Sequence, residues 1–275
     1  MIELPEATNI ARQINTELKG LHVESGNRGN TPHKFAFYSR TPEEYAAILT
    51  GKTVSAATEH GASLLVSLVP DYTLVLGGGG ERILYHSDDT TLPKKYHLLL
   101  HFSNGGYLTV SVQGWGSCLL LHNTQDANHP WLVKRVHPLS KVFTYEYFLS
   151  LWDELEEGDP RSVKFFLISK PGVWGVGNGY LQDILFRARL LPRRKVIGFT
   201  EAEKRSLYEA VCITLTQAVD KRGRDTEFDI HNSPGGYIPL MDRRTNGLPC
   251  TVCGTPIKKE AYMGGAVYFC SHCQK

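Results

Sequence analysis

Four cysteines near the C-terminal end constrain the fold of this chain more than any other feature. Cys250 and Cys253 form one C-x2-C pair, and Cys270 and Cys273 form a second. Two such pairs about 15–20 residues apart are typical of a structural zinc site, in which four thiolates surround one ion tetrahedrally. The intervening "GTPIKKEAYMGGAVYF" predicts two short strands joined by a Gly-Gly turn. We therefore expect one structural Zn²⁺ ion in a β-hairpin finger.

The alternative use of these cysteines is a redox pair or disulfides. The N-terminal "MIELPEATN" has neither the basic start nor the apolar stretch of a secretion signal, and no run of about 20 apolar residues suggests a membrane span. Disulfides are rare inside the cell, so we expect a cytoplasmic protein that binds zinc. Cys118 and Cys212 lie between apolar residues and are expected to pack in the core; the alternative for Cys118 is a nucleophile served by His122.

The first half of the chain alternates short apolar runs with turn residues. Residues 5–18 predict a helix, because Ile10, Ile14 and Leu18 recur at four-residue spacing after a Pro and a Glu. From about Lys34 to Leu121, runs such as "KFAFYS", "SLLVSLV", "YTLVLG", "YHLLLHF" and "YLTVSV" predict a β-sandwich or barrel, interrupted by a small helix at "TPEEYAAILTG".

Helical patterns replace the strands after about residue 138. The segments "TYEYFLSLWDEL", "SVKFFLIS", "GYLQDILFRARL" and "TEAEKRSLYEAVCITLTQAVDK" each predict a helix, the last with a capping box of Thr200 and Glu203. A Gly- and Pro-rich linker then leads to the finger. We predict an α+β multidomain protein with a β-sandwich domain at 1–130, a helical domain at 131–230, and a linker with the zinc finger at 231–275.

Positive charge is concentrated in the helical region. The net charge is only +2, but residues 161–224 contain thirteen Lys or Arg against five Asp or Glu. Such a local excess indicates a phosphate-binding face, and the alternative is a solvated helical surface.

Three stretches together carry a resemblance to a known family. The opening "MIELPEA" is similar to a family opening "MPELPEV", "VKFFLISKPGVWGVGNGYLQDILFRARLLP" is similar to a helix-two-turn-helix signature, and "GLPCTVCGTPIKK…YFCSHCQK" is similar to a C-terminal zinc finger. On these motifs the chain resembles the formamidopyrimidine-DNA glycosylase and endonuclease VIII (Fpg/Nei) family. The resemblance implies a partner, double-stranded DNA with a damaged base or an abasic site, and a nucleotide flipped into a pocket.

The middle motif implies a site for a DNA phosphate. Gly175 and Gly177 allow close approach of the backbone at a turn, and a helix that begins near Asn178 offers free N–H groups to an anion. Lys164, carried over from the family pattern, adds a cation. The alternative is that Lys164 and Asn178 are only a solvated charge and a helix cap.

The N-terminus implies the catalytic groups. In the family, removal of Met exposes a Pro whose amine attacks the sugar, and the adjacent Glu works as acid and base. Glu3 matches that Glu, but position 2 is Ile2. The nucleophile is then the amine of Met1, or of Ile2 if Met1 is removed, or a water that Glu3 activates. Glu6 is a further candidate, and the alternative is that both acids are ordinary first-turn helix residues.

Four further positions depart from the family pattern. Ala62 replaces a strand Lys, Gly78 in "LGGGGE" replaces a wedge Met, and Gly265 replaces an Arg of the finger hairpin. "VQGWG" replaces the paired Arg and Phe of a later loop, where Trp115 is the candidate wedge against DNA; the alternative is a core Trp. A more open pocket for a different lesion, or loss of chemistry with retained DNA binding, would explain these changes.

We predict a monomeric glycosylase of base excision repair that hydrolyses the N-glycosidic bond of a damaged base. Whether it also cleaves the strand as a lyase is left open by the sequence. If the source is bacterial, we expect the protein to be associated with the nucleoid. The second hypothesis is a catalytically silent protein that binds damaged or abasic DNA. A third is a zinc-stabilised RNA-binding or scaffold protein on the same fold. No membrane partner is expected.

Overall fold

A computed structural model describes all 275 residues, Met1–Lys275. The chain forms two compact units: the first consists of Met1–Arg135 and Lys221–Gly236, and the second of Val136–Asp220 and Tyr237–Lys275. The three-domain division expected from the sequence is a different partition and stays a prediction. No helix in the structure combines the length and apolar character that a membrane crossing requires.

The first unit contains a β-sandwich, as the sequence predicts. Its strands are β1 (Val23–Arg28), β2 (Ala36–Phe37), β3 (Thr53–His60), β4 (Ser63–Val69), β5 (Tyr72–Gly77), β6 (Glu81–His86), β7 (Leu98–Phe102), β8 (Tyr107–Val112) and β9 (Gly116–His122). One sheet has the order β1-β7-β8-β6, and the other has the order β2-β9-β5-β4-β3. All pairs are antiparallel except β2 with β9.

Alternation along the strands builds the core between the sheets. On β4, Leu64, Val66 and Leu68 are buried whereas the residues between them are only partly covered, which is the period of two expected of a strand with one buried face. Most buried apolar residues of both sheets belong to one cluster with the N-terminal helix, whereas Val75, Leu119 and Leu121 form a separate cluster. Each fully buried Leu or Val stabilises the unit by roughly 1.5–3 kcal/mol relative to exposure.

Helix α1 (Leu4–Glu17) packs against β3, and α2 (Pro42–Leu49) packs against β1. The four-residue repeat correctly predicts the inner face of α1, because Ile10, Ile14 and Leu18 are all buried. Helix α2 begins at a reciprocal cap: the Thr41 amide donates to Glu44 Oε2 at 2.8 Å, and the Glu44 amide donates to Thr41 Oγ1 at 3.3 Å.

Two differences from the expected strands have a physical cause. The run "KFAFYS" contributes only the two residues of β2, which pair in parallel with the start of β9. By contrast β1 ("VESGNR") and β3 ("TVSAATEH") carry few large apolar residues and were not singled out from the sequence. Strands β1 and β3 form because they pair with neighbouring strands, and this pairing does not require an apolar pattern in the sequence.

The second unit is built on four helices: α3 (Tyr145–Ser150), α4 (Val163–Ile168), α5 (Asn178–Arg187) and α6 (Glu201–Asp220). The predicted capping box of α6 is confirmed, since the Thr200 amide donates to Glu203 Oε2 at 2.7 Å and the Glu203 amide donates to Thr200 Oγ1 at 3.2 Å. Aromatic rings of Phe148, Trp152 and Phe166 pack together between these helices.

Asp183 on α5 fixes the chain that leads to the finger. Its buried carboxylate accepts hydrogen bonds from the Tyr237 hydroxyl at 2.7 Å and from the amides of Leu240 and Met241, each at 2.9 Å. Burial raises the pKa of Asp183 to about 6. Beyond this anchor, β10 (Lys258–Tyr262) and β11 (Gly265–Phe269) form the predicted hairpin between the two cysteine pairs.

Candidate active site and nucleic-acid interface

The first residues of the chain lie at a buried cluster of acids. Ile2 is 5 % exposed, Glu3 is 1 % exposed and Glu6 is 4 % exposed, whereas Met1 is 57 % exposed. The backbone explains part of this arrangement: α1 begins directly after Glu3, and the Glu3 amide donates to Glu6 Oε2 at 3.0 Å. Glu6 is thus a first-turn helix acid with a capping bond, as the alternative interpretation expected, and a catalytic role for it stays a prediction.

One guanidinium joins the acids. Arg224, itself 6 % exposed, donates from Nε to Glu6 Oε1 at 3.1 Å, and its Nη1 lies 3.5 Å from Glu3 Oε1. Its Nη2 donates to the Met1 carbonyl and lies 3.8 Å from Glu227 Oε1. A planar group with several fixed donors can contact several acceptors at once, which an ammonium cannot do as well.

The N-terminal amine is also paired. The Met1 ammonium forms an ion pair with the Glu227 carboxylate. Arg224 and Glu227 were both missed in the sequence, because they lie more than 200 positions from the N-terminus in a loop that has no regular pattern. The only local signal was a group of charges, "RGRDTEFD", in a linker otherwise rich in Gly, Pro and Asn.

A cavity of about 660 Å³ opens beside this cluster. Its walls come entirely from the first unit. The lining residues are Met1, Ile2, Gly79, Gly80, Glu81, Arg82, Gln113, Gly114, Trp115, Thr226, Glu227 and Phe228. The volume lies within the range of about 300–1,000 Å³ that small-molecule sites have. The cavity therefore brings the candidate nucleophile together with one candidate DNA-contacting residue, Trp115.

Glu81 connects the two loops that form the wall of the cavity. Its buried carboxylate accepts the Gly79 amide at 3.0 Å through Oε2 and the Ser117 amide at 2.9 Å through Oε1. Burial raises the pKa of Glu81, and the two N–H donors oppose that rise. Glu81 was not considered from the sequence.

Cys118, near Glu81, is fully buried, and burial raises the pKa of its thiol. Its environment therefore fits a role in core packing rather than nucleophilic attack.

In the second unit, Lys164 and Asn178 meet at the finger hairpin. Lys164 Nζ donates to the Tyr262 carbonyl at 2.8 Å, and Asn178 Nδ2 donates to the Ala266 carbonyl at 3.2 Å. Lys164 is buried, and the loss of water around its ammonium lowers its pKa. A Cβ on Gly265 would lie 3.7 Å from Lys164 Nζ and 3.6 Å from Asn178 Nδ2. The position where the family resemblance implies an Arg thus lies directly against both residues.

The glycine turn before α5 has the expected geometry. Gly175 has φ +91°, a left-handed conformation in which a side chain is strained. Gly177 is the N-cap of α5, with φ −120° and ψ −170°, so its backbone is extended and any residue can adopt it. Helix α5 begins at Asn178, as predicted. Phosphate binding by these residues stays a prediction.

The four cysteines form a cluster that could bind a metal ion. Cys253 Sγ lies 3.4 Å from Cys270 Sγ, Cys250 Sγ lies 3.9 Å from Cys273 Sγ, and all four ligand atoms lie within 4.8 Å of one another. At a Zn–S distance of about 2.3 Å, tetrahedral sulfurs would be about 3.8 Å apart, so the separations fit. All four are free thiols, and the alternative of disulfides is therefore not supported.

Comparison with known proteins places both units in one family. Residues 1–118 match the formamidopyrimidine-DNA glycosylase N-terminal domain, and residues 136–229 match the formamidopyrimidine-DNA glycosylase H2TH domain. The chain is 30 % identical to the formamidopyrimidine-DNA glycosylase of Halalkalibacterium halodurans over 287 aligned positions, and 30 % identical to that of Bacillus licheniformis over 283. Each alignment covers 100 % of both chains.

Solved structures share the fold. A complex between Lactococcus lactis Fpg and DNA containing an abasic site superposes with a TM-score of 0.84 at 22 % identity, covering 99 % of each chain. A complex of the same protein with DNA containing Fapy-dG gives a TM-score of 0.84 at 22 % identity, covering 99 % of this chain and 100 % of that one. With relatives at 30 % identity over their whole length, this chain belongs to the formamidopyrimidine-DNA glycosylase and endonuclease VIII (Fpg/Nei) family.

Proposed function

We propose that this protein is a DNA glycosylase of base excision repair, which binds duplex DNA, flips out a damaged nucleotide and cleaves its N-glycosidic bond inside the cell. Family membership, the names of the relatives and the DNA complexes of the structural neighbours support this proposal. The observation that carries it is the presence of the N-terminal amine, the Glu3 cluster and a cavity large enough for a base in one unit.

Two chemical routes fit these groups. In the first, Glu3 takes a proton from water, the water oxygen bonds to C1′, and the electron pair of the C1′–N bond leaves with the base, which is then protonated. Arg224 holds the Glu3 carboxylate in place for this step. This route releases the base without cutting the strand.

In the second route the Met1 amine is the nucleophile. Its nitrogen bonds to C1′ as the C1′–N bond to the base breaks, and opening of the C1′–O4′ bond of the sugar then gives a Schiff base that permits strand cleavage. The amine must first lose a proton, and the carboxylate in contact with it is Glu227. If Met1 is removed, the amine belongs to Ile2, whose side chain is in the core. The lyase activity depends on this route.

In this proposal the second unit binds the DNA backbone. A Zn²⁺ ion on Cys250, Cys253, Cys270 and Cys273 would hold the finger hairpin closed and take no part in the chemistry. Lys164, Asn178 and the N-terminus of α5 are the candidate phosphate contacts, with Gly175 and Gly177 allowing the DNA backbone to approach.

A second candidate function is a silent sensor of damaged or abasic DNA. Two observations favour it: position 2 is Ile rather than Pro, and the Met1 amine is held in an ion pair with Glu227, a contact that must break before the amine can attack. A sensor would keep the cavity, the hairpin contacts and the cysteine cluster.

Base release and borohydride trapping on the same duplexes separate these candidates. The substrates are a panel of duplexes with single base lesions and one duplex with an abasic site. The proteins are the wild type, Glu3→Gln and the control Glu43→Gln, which changes an exposed first-turn acid of α2. We expect the wild type and Glu43→Gln to release at least one damaged base, and Glu3→Gln to lose at least about 100-fold in rate, the usual contribution of a general base or acid.

Each outcome has one meaning. A trapped adduct with the abasic duplex identifies the amine route, and base release without an adduct identifies the water route. No release from any lesion, together with tight binding to the abasic duplex, would replace the glycosylase by the sensor. Loss of DNA affinity in Glu3→Gln with the fold intact would make the role of Glu3 structural.

A further inference from the structure

The cavity beside the N-terminus has two exposed aromatic rings on its walls. Trp115 is 49 % exposed and Phe228 is 42 % exposed, although both line the cavity. A large apolar side chain that stays open to solvent inside a cavity indicates a surface for a ligand rather than a core contact. The chemistry of these two rings therefore bears on what the cavity accepts.

The ring of Trp115 packs against a run of glycines. A Cβ on Gly78 would lie 2.7 Å from Cζ3 of the Trp115 ring, and a Cβ on Gly79 would lie 3.6 Å from its Cε2. Gly78 has φ +113° and Gly79 has φ +146°, conformations in which a side chain is strained, and at Gly78 the ring contact also excludes a side chain. The glycine run thus contacts the indole, and Trp115 remains half exposed.

The indole is also held in place. The Gly80 amide donates to the Trp115 carbonyl at 3.0 Å, and the Gln113 amide donates to the Gly80 carbonyl at 2.6 Å. Glu81 joins the same two loops through Gly79 and Ser117, as described above. These bonds fix the Trp115 loop against the glycine loop, so the ring is preorganised at the wall of the cavity.

Phe228 is also supported, by a contact with an arginine. The guanidinium of Arg82 lies over the Phe228 ring, with Cζ 4.2 Å from the ring centroid. That contact occupies one face of the ring. The cavity is also lined by Gln113, Thr226 and Glu227, whose polar groups can form hydrogen bonds with the edge of a base.

We propose that Trp115 and Phe228 form an aromatic clamp in which the flipped base stacks, so that the cavity selects planar aromatic bases over saturated, non-planar ones. This proposal rests on the proposed function and defines its substrate class. It gives Trp115 a role inside the base pocket, whereas the sequence suggested a wedge that fills the gap in the duplex. Stacking of a base on an aromatic side chain is worth about 1–3 kcal/mol, or roughly 5- to 150-fold in affinity.

Binding titrations with matched duplexes test the clamp. The central nucleotide is 8-oxoguanine or hypoxanthine as planar probes, dihydrothymine or thymine glycol as saturated probes, or tetrahydrofuran, which carries no base. The base-bearing probes are 2′-fluoro nucleotides, which resist glycosidic cleavage. The proteins are the wild type, Trp115→Ala, Trp115→Phe, Phe228→Leu and the control Phe37→Ala, an exposed ring of β2 outside the cavity.

We expect the wild type to bind at least one planar probe more tightly than both saturated probes. Trp115→Ala and Phe228→Leu should lose roughly 5- to 150-fold on that probe. They should change affinity for the tetrahydrofuran duplex by less than about threefold. Trp115→Phe should retain most of the preference, and Phe37→Ala should alter neither value.

Other outcomes overturn the clamp. An equal loss on the tetrahydrofuran duplex in Trp115→Ala would mean that Trp115 acts on the duplex as a wedge, and tighter binding of the saturated probes would remove the selectivity. The proposed function fails separately: a planar preference that depends on Trp115, without release of any unmodified lesion, keeps the clamp and overturns the glycosylase. Base release that is independent of Trp115 and Phe228 does the reverse.

Discussion

Replacing Arg224 by Met should destabilise the protein in a pH-dependent manner. The change removes the guanidinium that contacts Glu3 and Glu6, both almost fully buried, and keeps an unbranched side chain. Loss of one partner of a buried ion pair usually costs about 3–5 kcal/mol. We therefore expect the free energy of unfolding at pH 7 to fall by about 3–5 kcal/mol, a large part of the 5–15 kcal/mol typical of a folded domain.

The pH dependence follows from the two acids. Without the cation, a buried carboxyl is expected to bind a proton more readily in the folded than in the unfolded state. A raised folded-state pKa contributes stability below the unfolded value and loses it as pH rises. The deficit of Arg224→Met relative to the wild type should thus shrink on acidification from pH 7 to 5, by at most about 1.4 kcal/mol per pH unit for each carboxyl that takes up a proton.

Urea denaturation followed by circular dichroism at pH 5, 6, 7 and 8 measures this difference. The control is Arg12→Met, an exposed arginine of α1, which should change the unfolding free energy by less than about 0.5 kcal/mol. Adding Glu6→Gln to Arg224→Met should recover part of the loss at pH 7, because one buried carboxyl is then neutral. A loss that is equal at pH 5 and 8, or no larger than that of Arg12→Met, would refute the reasoning.

Three further predictions concern the second unit. Cys253→Ser should release the metal and weaken duplex binding, whereas Cys212→Ser should keep a full zinc content by metal analysis; undiminished DNA affinity in a metal-free Cys253→Ser protein would contradict the role of the finger. Gly265→Arg, whose Cβ would make only ordinary van der Waals contacts, adds a cation beside Lys164 and should steepen the slope of log affinity against log salt by about 0.9, while Gly265→Ala should leave the slope unchanged; equal slopes would place the phosphate elsewhere. The stability advantage of the wild type over Asp183→Asn should be greatest below pH 4 and shrink as pH rises through about 6, by up to roughly 3 kcal/mol, because burial raises the Asp183 pKa; a constant advantage in chemical denaturation would show that folding does not raise the Asp183 pKa.

The features that local patterns predict well are those with local causes. The cysteine spacing predicts the four-cysteine cluster, since two knuckles and a hairpin bring four sulfurs together. The start of α5 at Asn178 and the capping box at Thr200 follow from neighbouring residues alone. These features can therefore be predicted from the sequence.

The acid cluster could not be predicted in that manner. Glu3 and Glu6 were identified from the opening motif, but their contact with Arg224 depends on a segment that follows the whole helical region and then packs against α1. No periodicity or spacing rule links positions so far apart. The contact between the glycine run and Trp115 could not be predicted either, because a run of four glycines by itself indicates only a turn.

The late position of Arg224 has a consequence for biosynthesis. The first unit is discontinuous, and 218 positions separate Glu6 from the arginine that binds it. At about 5–20 residues per second, a ribosome needs roughly 10–45 s to make that stretch. During this interval the nascent chain carries its amine and its acids without the partners that complete the cavity wall. A prematurely terminated product that stops before residue 221 should therefore lack an assembled base pocket, even though all strands of the sandwich are present.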